Sequence, residues 1–156
     1  MSRPSYEHTQ AGWPIRLAFM ALALGLPLLF FMPGIHEQPS PRVVVLVGAA
    51  VAALLGWTWG SLTVRVADGR LQLHFGPGWP RKSWPLEDIA AVELTRTTFA
   101  DGWGVHRTRR GWLYNVSGFD AVLVRLKDGK SFLVGTDEPR RLKAALDRTM
   151  PAARHG

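Results

Sequence analysis

Two uncharged apolar runs dominate the first sixty positions, and a two-residue alternation takes over after them. Leu17 to Met32 reads LAFMALALGLPLLFFM, and Val43 to Gly60 reads VVVLVGAAVAALLGWTWG. Each lies at the short end of the roughly 17–25 residues that carry a helix across ~30 Å of hydrocarbon. Arg16 can snorkel to the surface, which extends the first span to about Ile15. The pattern therefore predicts a transmembrane hairpin over 15–60, with spans at about 15–32 and 43–60. Trp13 stands before the first span, and Trp57 and Trp59 close the second as an interfacial belt does. Pro27 is a candidate kink, and Pro33-Gly34 stop the first helix. Small residues recur at four-residue spacing, Ala21 and Gly25 in one span and Gly48, Ala52 and Gly56 in the other, which lets helix backbones approach closely. A cleaved signal peptide explains the first run less well, because MPGIHEQPS follows it with no small-x-small pattern. Two uninterrupted uncharged runs also fit poorly as buried helices of a soluble protein.

From Leu62 the period is two. LTVRVADGRLQLHF alternates around Asp68-Gly69, and Asp-Gly favours a type I′ hairpin turn, which needs positive φ at both positions. A third strand is expected over Arg81–Trp84, broken by Pro85, and a fourth over Ile89–Thr97. Trp112–Val116 is a fifth. Ala121–Leu126 and Ser131–Val134 form a second hairpin around Asp128-Gly129. The last segment is helical: Thr136 or Asp137 can cap it, Pro139 suits its first turn, and Leu142, Ala145 and Leu146 share one face. Arg140, Arg141, Lys143 and Arg148 fall mainly on the other. The expected layout is an N-terminal tail (1–14), the hairpin, a β domain (61–150) and a flexible tail (151–156).

Charge sharpens this division. Of 19 Lys and Arg, only Arg3, Arg16 and Arg42 precede Ser61, and of 12 Asp and Glu only Glu7 and Glu37 do. The β domain is therefore basic, and a basic domain beside a membrane is drawn to anionic headgroups at about 1 kcal/mol per well-placed Lys or Arg. A solvated basic surface is the plainer explanation. The short connector puts both chain ends on one side, and Arg3, Arg16 and Arg65 on the outer flanks against Arg42 in the connector favour the cytoplasmic side. The chain has no Cys, which excludes disulfides, Cys-based zinc sites and thiol catalysis. Its preference for Arg over Lys hints at a GC-rich bacterial genome.

About seven short antiparallel strands followed by an amphipathic helix suggest a mainly-β barrel or half-open sandwich capped by that helix. Four stretches carry a family resemblance: WPLEDI (84–89), GWGVH (102–106), GWLYNVSG (111–118) and DGKSFLVGTDEP (128–139). The run from Ser61 to Leu146 resembles the bacterial PH-like domain that follows paired transmembrane helices in membrane proteins. The resemblance covers nearly all of the β domain and implies a PH-like barrel with a C-terminal helix. Its motifs are mostly turn and core residues, so it implies a fold and no particular activity. Eukaryotic PH domains grip phosphoinositides with Lys and Arg around a long first hairpin loop. Here that loop is the tight, acidic Asp68-Gly69, so the resemblance does not carry phosphoinositide binding over.

The most distinctive soluble segment is 99–111, FADGWGVHRTRRG. Trp103, His106, Arg107, Arg109, Arg110 and the following Trp112 make it a candidate interaction loop, since Arg forks suit phosphate or carboxylate and Trp suits an interface. A strand-to-strand loop with solvated arginines is the competing account. No catalytic residue, cofactor site or metal site is expected. His74 and His106 have no identifiable acid–base partner, and Glu87-Asp88 reads as a turn before Ile89. The histidines lack zinc spacing, and no phosphate-cradling Gly loop occurs. Asn115-Val116-Ser117 matches a glycosylation acceptor only formally. The expected protein is a multi-pass protein of a bacterial inner membrane, with both termini cytoplasmic, whose β domain serves as a protein-interaction or assembly module. An anionic-lipid surface sensor is the alternative, and an enzyme acting on a lipid or envelope substrate stands third. The expected partners are the lipid bilayer, an unidentified membrane or cytoplasmic protein and anionic lipid headgroups; nucleic acid is disfavoured, because no recognition motif accompanies the basic charge.

Overall fold

The computed structural model describes residues 4–32 and 39–150. Residues 33–38 of the expected connector (33–42) and the expected flexible tail at 151–156 lie outside the described residues; residues 39–42, Arg42 included, belong to the second helix instead. Asp68 and Gly69 both adopt positive φ, 51° and 70°, as the sequence pattern requires. They join β2 (Ser61–Ala67) to β3 (Arg70–Phe75). β4 (Arg81–Pro85) pairs with β3 and ends the sheet. The other side of that sheet was not expected. Tyr6–Ala11, within the segment read as a tail, is strand β1 and pairs antiparallel with β2 from Tyr6–Val66 to Ala11–Ser61.

The apolar hairpin is thus inserted between two neighbouring strands of one sheet. α1 (Trp13–Gly25) continues as a 3-10 helix over Leu26–Phe31, and α2 spans Pro39–Trp59. At 1.5 Å per α-helical residue and about 2.0 Å per 3-10 residue, each arm is about 31 Å long, which matches a ~30 Å hydrocarbon core. Both are long and apolar enough to cross a membrane, with mean hydropathy 1.9 over Trp13–Phe31 and 1.8 over Arg42–Trp59. The helices run antiparallel. A Cβ added to Gly48 would lie 3.2 Å from Leu26, and one added to Gly56 would lie 2.9 Å from Phe19. Gly48 and Gly56 therefore admit α1, with Ala52 buried between them. Gly25 faces open space instead, so the small-residue stripe acts on one helix only.

The second sheet has the order β5-β8-β9-β7-β6, formed by β5 (Ile89–Arg96), β6 (Gly104–Thr108), β7 (Gly111–Asn115), β8 (Asp120–Leu126) and β9 (Ser131–Gly135). β7 and β9 are parallel, because the turn after β7 passes the end of β9 and β9 then slots between β7 and β8. The expectation of about seven antiparallel strands in a barrel is corrected here. Among the described residues there are nine strands in two sheets, one pair is parallel, and the sheets do not form a single closed barrel.

Between the sheets lies the main core, with Leu62, Val64, Leu71, Leu73 and Phe75 from one side and Val122, Val124, Phe132 and Val134 from the other. α3 (Pro139–Thr149) adds Leu142, Ala145 and Leu146 to it. Fully burying each leucine contributes about 1.5–3 kcal/mol. The helix starts at Glu138 without a side-chain cap, so neither expected capping residue caps it. The Thr136 hydroxyl accepts the Glu138 N–H at 3.1 Å, and Asp137 turns outward to His8 Nε2 at 2.6 Å, joining the helix entry to β1.

Candidate functional site

The segment 99–111 is not one loop. Phe99–Asp101 is a short 3-10 turn, β6 follows, and Arg109-Arg110 form a tight turn into β7. The 3-10 turn is held by Thr98, whose N–H and hydroxyl both donate to Asp101 Oδ2, at 2.7 and 2.9 Å. These hydrogen bonds, the N–H first, hold the Asp101 carboxyl below its usual range, and the charges of Arg110 and His106 act in the same direction. Asp101 therefore organises the turn. Its sequence signal is the Thr-x-x-Asp spacing, which the charge of the surrounding arginines obscures.

Strand alternation separates the six candidate residues. His106 lies opposite Leu113, and Leu113 belongs with Leu123 and Leu133 to a small cluster away from the main core. The His106 Nε2 is buried without a hydrogen-bond partner. Trp103 is an exposed ring set edge-on to Phe99 at 5.9 Å. Arg110 is committed elsewhere. Its guanidinium donates to Thr95 Oγ1 at 2.7 Å and to the Arg96 carbonyl at 2.9 Å, while its own carbonyl accepts from Ser131 Oγ at 2.6 Å. It ties the β6–β7 turn to the end of β5. Gly111 must follow it, since φ is 118° and a Cβ would collide with the Ser131 backbone. Arg109 is exposed at the turn. Arg107 pairs across strands with Trp112, on the opposite face from His106.

On that face the structure gathers residues the sequence does not connect. Trp84 from β4 stacks on Phe132 from β9, with centroids 4.0 Å apart and planes 15° apart. Tyr114 from β7 sits edge-on to both rings, at 5.7 and 6.2 Å. Burial pushes the Tyr114 phenol above its usual range. This trio floors a groove of about 500 Å³, walled by Val105, Trp112 and Leu126, with Lys82 and Lys130 at its rim. Such a volume falls within the range of ligand sites. β4 ends its sheet, and the groove runs from it over the face of the second sheet, across residues of β6, β7, β9 and β8. A second depression, of about 600 Å³ between β1 and α3, has a charged wall of Arg141, Asp147 and Arg148 and only Tyr6 as an aromatic lining residue.

The remaining displaced titrations are local. Burial pushes the Tyr6 phenol up to about 12. Asp128 is lowered and Lys130 raised by their mutual hydrogen bond. Among the described residues, no three His, Asp or Glu side chains are grouped to hold a metal ion. No family model matches this chain, and no curated protein sequence matches it.

Proposed function

We propose that this chain is a bacterial inner-membrane protein that displays a PH-like domain at the cytoplasmic face as a protein-interaction or assembly module. The observation that carries the reading is the aromatic groove beside β4, the edge strand of its sheet among the described residues. A strand edge offers unpaired backbone N–H and C=O groups, and an extended segment that adds to it gains main-chain hydrogen bonds while its alternate side chains fill pockets. Trp84, Tyr114 and Phe132 supply an apolar floor, and Lys82 at the rim favours an acidic segment, whereas Lys130 is paired with Asp128 at 2.8 Å. The two sheets and the helix α3 packed against their shared core support a PH-like domain, with the apolar hairpin inserted between its first two strands.

A photoreactive side chain at Trp112, irradiated in native membranes, tests this. The expected product is a discrete protein adduct whose crosslinked peptide is acidic, and the reversal Lys82→Glu weakens it. Adducts to lipid alone, or a protein adduct indifferent to the reversal, would overturn the reading.

A further inference from the structure

Resting on the membrane reading above, we propose that the end of the β domain nearest the helices is a seat on the bilayer surface, in which Trp79, Phe99, Trp103 and Phe119 enter the headgroup layer. These four carry the exposed aromatic surface of the loops, at 70, 77, 36 and 36% exposure. They come from three different loops, and backbone contacts bring all three to one end. Gly76, at the start of the Trp79 loop, has a φ of 41° and lies against the Thr58 and Trp57 carbonyls at the end of α2, and its N–H donates to the Ser61 carbonyl. Ser117, in the loop of Phe119, donates its hydroxyl to the Ala11 carbonyl at 3.0 Å and accepts from Gln10 Nε2 at 3.1 Å. Thr97, two residues before Phe99, donates its N–H to the Phe119 carbonyl at 2.7 Å.

The bilayer is the occupant this geometry selects. Only Gly12 separates β1 from α1, and only Gly60 separates α2 from β2. These two glycines are joined by a 2.9 Å hydrogen bond, from the Gly12 N–H to the Gly60 carbonyl. Helices that span the hydrocarbon therefore leave no linker on which the domain could stand away from the surface. Trp13 and Trp57 already mark the interface on the helices, with the Arg16 guanidinium 5.7 Å from the Trp13 ring. Trp is enriched at this depth, and Phe is among the residues that interfacial segments bury in the headgroup boundary. The groove, lined by Lys130 and Ser131 beside the β8–β9 turn, lies at the opposite ends of the strands and is left open to the cytoplasm.

The chain has no cysteine, so single-cysteine labels can be placed cleanly in the full-length protein. Fluorescent labels at Pro77→Cys, Ala100→Cys, Lys127→Cys and Val51→Cys would be read in vesicles of phosphatidylcholine and phosphatidylglycerol carrying lipids spin-labelled either near the headgroup or near the end of the acyl chain, and separately with a water-soluble quencher. The expected result is severalfold stronger headgroup quenching at positions 77 and 100 than at 127, with position 51 quenched by the acyl-chain label. Adding Phe99→Ser and Trp103→Ser should weaken quenching at 100 while leaving 51 unchanged. Lipid quenching at 51 with only aqueous quenching at 77 and 100 would overturn the seat and spare the membrane reading. Shielding of 77 and 100 from both quenchers would overturn it in favour of a protein contact. Loss of lipid quenching at 51 itself would overturn the membrane reading.

Discussion

α2 and α3 both carry apolar residues, yet they treat them in opposite ways. α3 buries Leu142, Ala145 and Leu146 completely against the two sheets and turns its arginines outward. α2 leaves Val43, Val44, Leu46, Val47 and Leu54 exposed, burying Val45 and Ala52 among the described residues. α1 buries none of its residues. A helix that is apolar all round must be covered by something other than its own chain, whereas one apolar stripe is satisfied by a core. On the proposed membrane reading the two parts of the molecule meet two solvents, and the contrast can be tested from both sides.

The largest expected effect is on the α3 side. Leu146→Ala should remove about 2–5 kcal/mol of β-domain stability, the usual cost of a deleted buried leucine and the cavity it leaves. Thermal unfolding followed by near-ultraviolet circular dichroism in detergent would register it as a lower midpoint. An unchanged midpoint would mean that α3 is not part of the cooperative core. On the other side, Val51→Arg places a charge on an exposed position near the middle of α2. Insertion should become less favourable by about 2.5–3.5 kcal/mol, seen as a larger fraction extracted from membranes by alkaline carbonate. Extraction equal to the unsubstituted chain would break the comparison, because α2 would then not face hydrocarbon.

How much of this was legible follows the same line. The uncharged runs, the Asp68-Gly69 turn and the one-sided α3 are local patterns, and local patterns are what a sequence displays. β1 was hidden because its buried positions include Gln10 as well as Tyr6, and Thr9 meets Thr63 through a 2.8 Å hydroxyl contact. A strand that buries polar groups shows no apolar alternation. β6 is a short edge strand containing Gly104, His106 and Arg107, so it reads as loop. Trp112 belongs to the candidate segment and Tyr114 follows it on the same face of β7, but their groove partners Trp84 and Phe132 come from β4 and β9, and only tertiary packing brings these to them. The arginines looked equivalent in sequence; the geometry separates Arg110, which braces β5, from Arg107 and Arg109.

The β1 pairing has its own pH signature. Tyr6 is buried, and burial pushes its phenol up to about 12 from an ordinary value of 10.0. Between these values the unfolded chain has released the proton and the folded chain retains it, so folding weakens as pH rises. The group's contribution is complete below pH 10 and is lost on passing through 12, about 2–3 kcal/mol in all. Denaturant midpoints measured across this window should fall less steeply for Tyr6→Phe. Equal slopes would show that Tyr6 stays accessible and that β1 is not held against β2 as described.

The smallest effect separates two neighbouring arginines. Arg110→Ala removes two guanidinium hydrogen bonds to the end of β5. Both groups are solvent-exposed, so the expected loss is about 1 kcal/mol rather than the several that a buried pair would give. Arg109→Ala, one position earlier in the same turn, should stay within about 0.5 kcal/mol, as an exposed site usually does. Hydrogen exchange at the β6 and β7 amides is the sensitive measurement, because Arg110 braces an edge hairpin whose opening need not unfold the whole domain. Faster exchange confined to that hairpin in Arg110→Ala, and absent in Arg109→Ala, would establish Arg110 as a brace. Equal behaviour of the two variants would return Arg110 to the solvated surface and leave it free to meet an anionic partner.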